Sequence, residues 1–140
     1  MKPYVLDANV VLRFLLADHP TQSPASRELF LAAAQGRLTL ILGAVTLAEV
    51  VWVLDSYYEV DRKRISVLLC GLLLHDGVEC PECDVCLLAL RHFGEQSVDF
   101  ADGYVAASAQ ARGVAVLSYD RDFREFPDLS CLTPEAAVKD

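Results

Sequence analysis

Four short stretches each place an acid within or beside an apolar run: Tyr4-Val5-Leu6-Asp7, Leu47-Ala48-Glu49-Val50-Val51, Val98-Asp99-Phe100-Ala101-Asp102 and Ser118-Tyr119-Asp120-Arg121-Asp122. An unpaired buried carboxylate costs several kcal/mol or shifts its pKa until it is neutral. Acids drawn together with few lysines to pair them call for a cation. Carboxylate oxygens without a histidine among them suit Mg²⁺ or Mn²⁺ rather than Zn²⁺. The expected chemistry is that of a divalent-metal nuclease.

The spacing of each acid carries its own alternative. Asp7 closes a strand-like run, where ligands of parallel sheets bind, and it also fits a helix N-cap. Asp120 and Asp122 follow the run Val114 to Ser118 in the same way, so they are expected on the same sheet edge as Asp7. An ordinary surface turn is the plainer reading of Asp120-Arg121-Asp122. Glu49 has Val45, Thr46, Trp52 and Val53 at its i±3 and i±4 positions, so no cation stands beside it on its helix. The plainer reading there is a narrow polar stripe shared with Thr46. Asp99 and Asp102 stand three apart at a helix start; one caps it and the other projects from the first turn. His19, His75 and His92 show no metal spacing and read as surface residues.

The elements that must position these acids alternate between strand and helix. Residues 3–7 read as a buried strand and 9–17 as a helix. A second helix, capped by Thr21 or Ser23, runs to Gln35 and closes at Gly36. Leu38 to Leu42 is a strand, and helix signals run from Val45 to Tyr57. Asp61 caps a helix to Leu74, and Gly77 breaks the pattern. Further helices span about 82–93 and about 99–112, the latter ended by Gly113. Val114 to Ser118 is a strand, and Ser130 to Leu132 reads as a short edge strand. This order predicts one α/β domain over residues 1–140, with a mostly parallel central sheet flanked by helices. The segment Ile65 to Leu74 is apolar nearly all round, which fits either burial on two sides or an oligomer interface.

Composition limits the function further. The chain has 140 residues, is 54% hydrophobic and has a net charge of −8, with a mean hydropathy of +0.31. That acidity argues against a simple DNA-binding module and leaves a metal-assisted nuclease open. No run reaches the roughly 18 uncharged apolar residues of a membrane span, and Leu38 to Leu54 is broken by Glu49. The N-terminus enters a strand directly, without a signal-peptide pattern, so a cytoplasmic protein is expected. The five cysteines are an odd number, which disfavours a disulfide framework. Cys80, Cys83 and Cys86 invite a metal-cluster reading but lack a fourth ligand at matching spacing, so an apolar series on a helix is the expectation. A haloacid-dehalogenase-like phosphatase needs D-x-D where this chain has Asp7-Ala8-Asn9. It also needs a positioned lysine, as does a response-regulator receiver, and neither requirement is met.

Leu6-Asp7-Ala8-Asn9-Val10, Leu47-Ala48-Glu49-Val50, Asp99-Phe100-Ala101-Asp102 and Ser118-Tyr119-Asp120-Arg121-Asp122-Phe123, in this order, resemble the motifs of PIN-domain ribonucleases, in particular the VapC-type toxins of toxin–antitoxin systems. The resemblance covers essentially the whole chain. It implies a PIN-like α/β/α sandwich and a Mg²⁺- or Mn²⁺-dependent endoribonuclease that inhibits translation. By position, Asp7, Glu49, Asp102 and Asp120 match the catalytic and metal-binding acids, with Asp99 and Asp122 as accessory acids and Asn9 and Ser118 as supporting polar residues. Ala8 stands where a Thr is common, which removes a hydroxyl and leaves every carboxylate. Arg13, Arg121 and Arg124 are candidates for RNA phosphates. The resemblance further implies a homodimer and a VapB-like antitoxin. A PIN nuclease of RNA processing or decay without an antitoxin, and a non-catalytic PIN scaffold, are the alternatives.

Overall fold

The structure is a computed structural model, and it describes residues 1–139. The chain divides into two compact units, residues 1–83 and 84–140.

The first unit begins with strand β1 (Lys2–Val5), helix α1 (Ala8–Leu16) and helix α2 (Gln22–Ala34). Strand β2 (Leu38–Ile41), helix α3 (Ala44–Trp52), a π-helical turn (Val53–Tyr57), helix α4 (Arg62–Leu73) and strand β3 (Val78–Glu79) follow. The three strands form a parallel sheet in the order β1-β2-β3. Parallel neighbours need crossovers, and the α1–α2 pair supplies the first while α3 and α4 supply the second. The core beneath is built from Val11, Phe30, Leu40, Leu42, Leu47, Val50, Leu54, Ile65 and Leu69, all fully buried or nearly so.

Local chemistry explains the element ends. Asp61 caps α4 by accepting from the Arg64 amide at 3.3 Å, as the sequence predicts. The expected caps of α2 are replaced by His19, whose Nδ1 faces the Gln22 amide at 3.0 Å, while the Ser23 hydroxyl accepts from the His19 amide. Imidazole can accept through an unprotonated nitrogen, a role that helix-cap rules built on Ser, Thr and Asp do not anticipate. Helix α3 and the π-turn together fill the predicted helix, and the Tyr58 amide bonds back five residues to Val53.

One expectation fails here, and of the two alternatives for another segment, burial on two sides is excluded. β1 is exposed at every position, and Val5 is 77% exposed; only Leu6, just past the strand, enters the core. An apolar run reports strand propensity and does not by itself fix what covers the strand. The segment Ile65 to Leu74 is resolved as one-sided: Ile65, Leu69, Leu72 and Leu73 are buried, while Val67, Gly71 and Leu74 face outward.

The second unit holds helix α5 (Cys83–Glu95, beginning at the boundary), helix α6 (Phe100–Arg112), strand β4 (Val116–Leu117), a 3₁₀ turn (Arg121–Glu125), strand β5 (Cys131–Leu132) and helix α7 (Pro134–Val138). β4 and β5 pair in parallel, with Val116 opposite Cys131. The described strands thus form a three-stranded and a two-stranded hydrogen-bonded sheet, both parallel as expected. β4 is shorter than the predicted run 114–118, and α7, capped by Thr133 with Pro134 in its first turn, was not anticipated. The core of this unit gathers Val98, Ala106, Ala109, Val116, Phe123 and Phe126. α6 ends at Gly113 in the left-handed region, as predicted.

His92 is buried at 7% exposure, contrary to its reading as a surface residue. Its Nε2 lies 2.7 Å from Gln110 Oε1, and its ring meets Phe126 edge-on. The partner on α6 satisfies the imidazole, and no feature local to His92 in sequence announces it. The five cysteines form no disulfide among the described residues, and Cys83 and Cys86 lie on α5 while Cys80 precedes it. No helix among the described residues is long and apolar enough to cross a membrane.

Candidate active site

Asp7 and Glu49 belong to the first unit. The β1 ladder is extended by the Leu6 amide bonding to Ile41 O, and Asp7 follows directly as the N-cap of α1, its Oδ1 accepting from the Ala8 amide at 2.9 Å. The capping alternative is thus realised, and it leaves Oδ2 uncommitted to the cap. α3 leaves the carboxyl end of the neighbouring strand β2. Its first turn is tied to the same junction by Thr46, whose hydroxyl donates to Leu6 O at 3.3 Å. Thr46 was expected only as a companion of Glu49 on a polar stripe; its bond spans forty positions and had no local signal. Glu49 is exposed, between Val45 and Trp52 on the outer face of α3. Asn9 and Arg13 border an open cleft of about 260 Å³ on α1 and α2, and Arg13 donates to Asp18 at 2.9 Å.

The second unit holds the remaining acids. Asp99 occupies the N-cap position of α6 and Asp102 its first turn. Gly103 beside it lets α6 approach α5 closely: a Cβ there would stand 3.1 Å from Ala89 O. Ser118 Oγ accepts from the Asp120 amide at 2.9 Å, and Asp120 Oδ1 accepts from the Asp122 amide at 2.9 Å, so the two residues build the 3₁₀ turn. Phe123 and Phe126 pin that turn to the core of the unit, their rings stacked. Tyr119 donates its hydroxyl to Glu135 on α7. Arg121 and Arg124 are exposed on the turn.

The acids are exposed or, for Asp102, half-buried, so the expectation of carboxylates sunk in a core is corrected. Asp102 is distinguished by the like charges that surround it. The Asp102 carboxyl is raised above its ordinary value, first by burial and then by the charges of Asp120, Asp99 and Asp122. Among the described residues, no three His, Cys, Asp or Glu side chains stand close enough together to hold a metal ion as they are. The donor set nevertheless has the chemistry for one, being all carboxylate oxygen, and three acids of the same unit, Asp120, Asp99 and Asp122, raise the proton affinity of Asp102.

The raised Asp102 has a consequence for stability. The folded state keeps this proton to higher pH than the unfolded chain, so stability falls as pH rises from 3.8 through the folded value and the penalty is complete above it. Asp102→Asn, melted in chelator at neutral pH, is expected to unfold at a higher temperature than the unaltered protein. The gain should vanish below pH 3.8, where the native carboxyl is also neutral.

Parallel strands flanked by helices, with acids carried on helices and on the turn after β4, place the chain in the mixed α/β class. The sequence matches the PIN domain over residues 4–129, across both units, and the chain belongs to that family. Proteins of this family are typically nucleases, that is, hydrolases, and generally use divalent metals. No curated protein matches the chain.

Proposed function

We propose that the protein is a Mg²⁺- or Mn²⁺-dependent endoribonuclease, and that it acts as the toxin of a VapBC-like toxin–antitoxin system. The reading is carried by the charges of Asp120, Asp99 and Asp122 that act on Asp102 in the first turn of α6. It is supported by membership of the PIN family over a span that contains all four candidate acids. On this reading residues 1–140 work as a single PIN domain in the cytoplasm.

Asp7, Asp102 and Asp120 would hold the cation, with Glu49 completing the set. When bound, the ion supplies an activated water at neutral pH and offsets charge on the phosphoryl and leaving oxygens. Glu49, whose helix offers it no cation, keeps a carboxylate free to accept the proton of the attacking water. Ser118 holds the turn that carries Asp120 through its hydroxyl, and Asp122 and Asn9 would be accessory to the site. Arg121 and Arg124 are positioned on the surface to meet RNA phosphates. In-line attack leaves a 5′-phosphate and a 3′-hydroxyl.

The exposed stripe Val67 and Gly71 on α4, with Leu74 just past its end, falls at i, i+4 and i+7 and suits a homodimer contact. An antitoxin peptide with a basic residue would suit the acidic site.

Purified protein incubated with tRNA and Mn²⁺ is expected to give discrete fragments whose 5′ ends are ligatable phosphates, and chelation should abolish them. Intact RNA in the presence of either ion would leave a non-catalytic scaffold.

A further inference from the structure

Beyond Glu49, α3 runs into a surface that the hydrolytic proposal does not use. Trp52, the one tryptophan of the chain, is 65% exposed. It stands three residues after Glu49 on the same outer face, roughly 4.5 Å further along the axis. The π-turn that follows presents Tyr57, 74% exposed, whose ring meets that of Tyr58 edge-on at 4.9 Å. Inserted π-turns recur at functional sites, and this one places the tyrosines immediately before α4.

The start of α4 is Arg62-Lys63-Arg64, the only consecutive cations in the sequence. Arg62 reaches back to Asp55 of the π-turn at 3.9 Å, which joins the two elements. Lys63 and Arg64 are exposed. Three cations in the first turn of a helix oppose its dipole, so helix stability does not account for them. Asp61 is engaged as the α4 cap and Asp55 by Arg62, and the third acid of the segment, Glu59, is exposed.

Exposed aromatic rings beside grouped cations are the chemistry of a single-stranded nucleic acid track, because every base offers a π-face and every linkage a charge. We propose that Trp52, Tyr57 and Tyr58 stack bases of single-stranded RNA while Lys63 and Arg64 meet its phosphates. The track then leads the strand to Glu49. The assignment rests on the nuclease reading for its purpose and on these residues alone for its test.

Binding of a labelled single-stranded oligoribonucleotide of roughly 12 nucleotides to the full chain, measured by anisotropy in chelator, separates affinity from cleavage. Trp52→Ala should weaken binding about tenfold or more, the range for losing one base–aromatic stack, and Trp52→Phe should restore most of it. Because Trp52 is the sole tryptophan, its emission in the unaltered protein reports contact directly and should be quenched by the RNA. Lys63→Ala with Arg64→Ala should lower the salt slope of log K by about 1.4. Unchanged affinity in Trp52→Ala, or unquenched emission under saturating RNA, overturns the proposal. So does a shift of Trp52→Ala from dimer to monomer with RNA affinity intact, which would give the face to a second copy of the chain. Should the unaltered protein cleave nothing with Mn²⁺ yet bind through Trp52, the hydrolytic reading falls and the track stands.

Discussion

Asp7→Asn will lower metal-dependent RNA cleavage by on the order of 10²-fold or more, the range for removing one preorganised charge-stabilising group, while leaving thermal unfolding in chelator unchanged. The two outcomes separate because Asp7 has two jobs. Its Oδ1 caps α1 through the Ala8 amide, and Asn caps about as well as Asp, since its carbonyl oxygen accepts the same bond. What Asn cannot supply is the charge. Asp7→Ala loses both and should also cost about 1 kcal/mol of stability. The comparison of Asn with Ala at one position therefore divides the cap from the chemistry. Gel-resolved cleavage of tRNA with Mn²⁺, beside melting curves, checks both arms. An Asp7→Asn protein that cleaves as the unaltered one does would remove this acid from the site.

The element order was legible in the sequence because it rests on local rules: Asp61 ahead of an apolar series, Gly113 after one, short apolar runs bounded by turns. The same locality set the limits. Val5 and Leu6 are neighbours in one apolar run, yet one is open and the other buried, and what packs on each face of the strand decides which. His92 looks like a surface histidine until Gln110, eighteen positions on, supplies its partner. The acids were found by type and spacing. Their exposure was misjudged, because apolar neighbours along a helix point away from Glu49 and into the core without taking it with them. That Asp120, Asp99 and Asp122 all raise Asp102 is a consequence of how the α6 start and the 3₁₀ turn fold together, and no pair of adjacent residues encodes it.

The largest effect on stability should come from Gly77→Ala. Gly77 has φ +84°, and a Cβ there would stand 2.3 Å from Ala33 O, 2.5 Å from Ala33 C and 2.7 Å from Ala33 Cβ. The obstacle is the last turn of α2, so no flexible side-chain end can swing aside. Gly77 cannot retreat either, because its carbonyl accepts from the Leu40 amide at 2.8 Å and so holds β3 to β2. Gly36 provides the control: it has nearly the same backbone, φ +77°, with nothing within 4 Å of the built Cβ. Gly36→Ala is thus expected to cost only the left-handed strain, about 1–2 kcal/mol. Gly77→Ala adds the clash or the broken ladder bond and should cost about 4 kcal/mol or more, among the large single-residue effects. With total stabilities of about 5–15 kcal/mol, that loss leaves a protein close to unfolding at ambient temperature. Urea unfolding of the two variants side by side measures the difference, which isolates packing from backbone strain. Equal losses would mean that α2 and β3 can separate freely at this point, and that the close approach of Gly77 to Ala33 does not hold the first unit together.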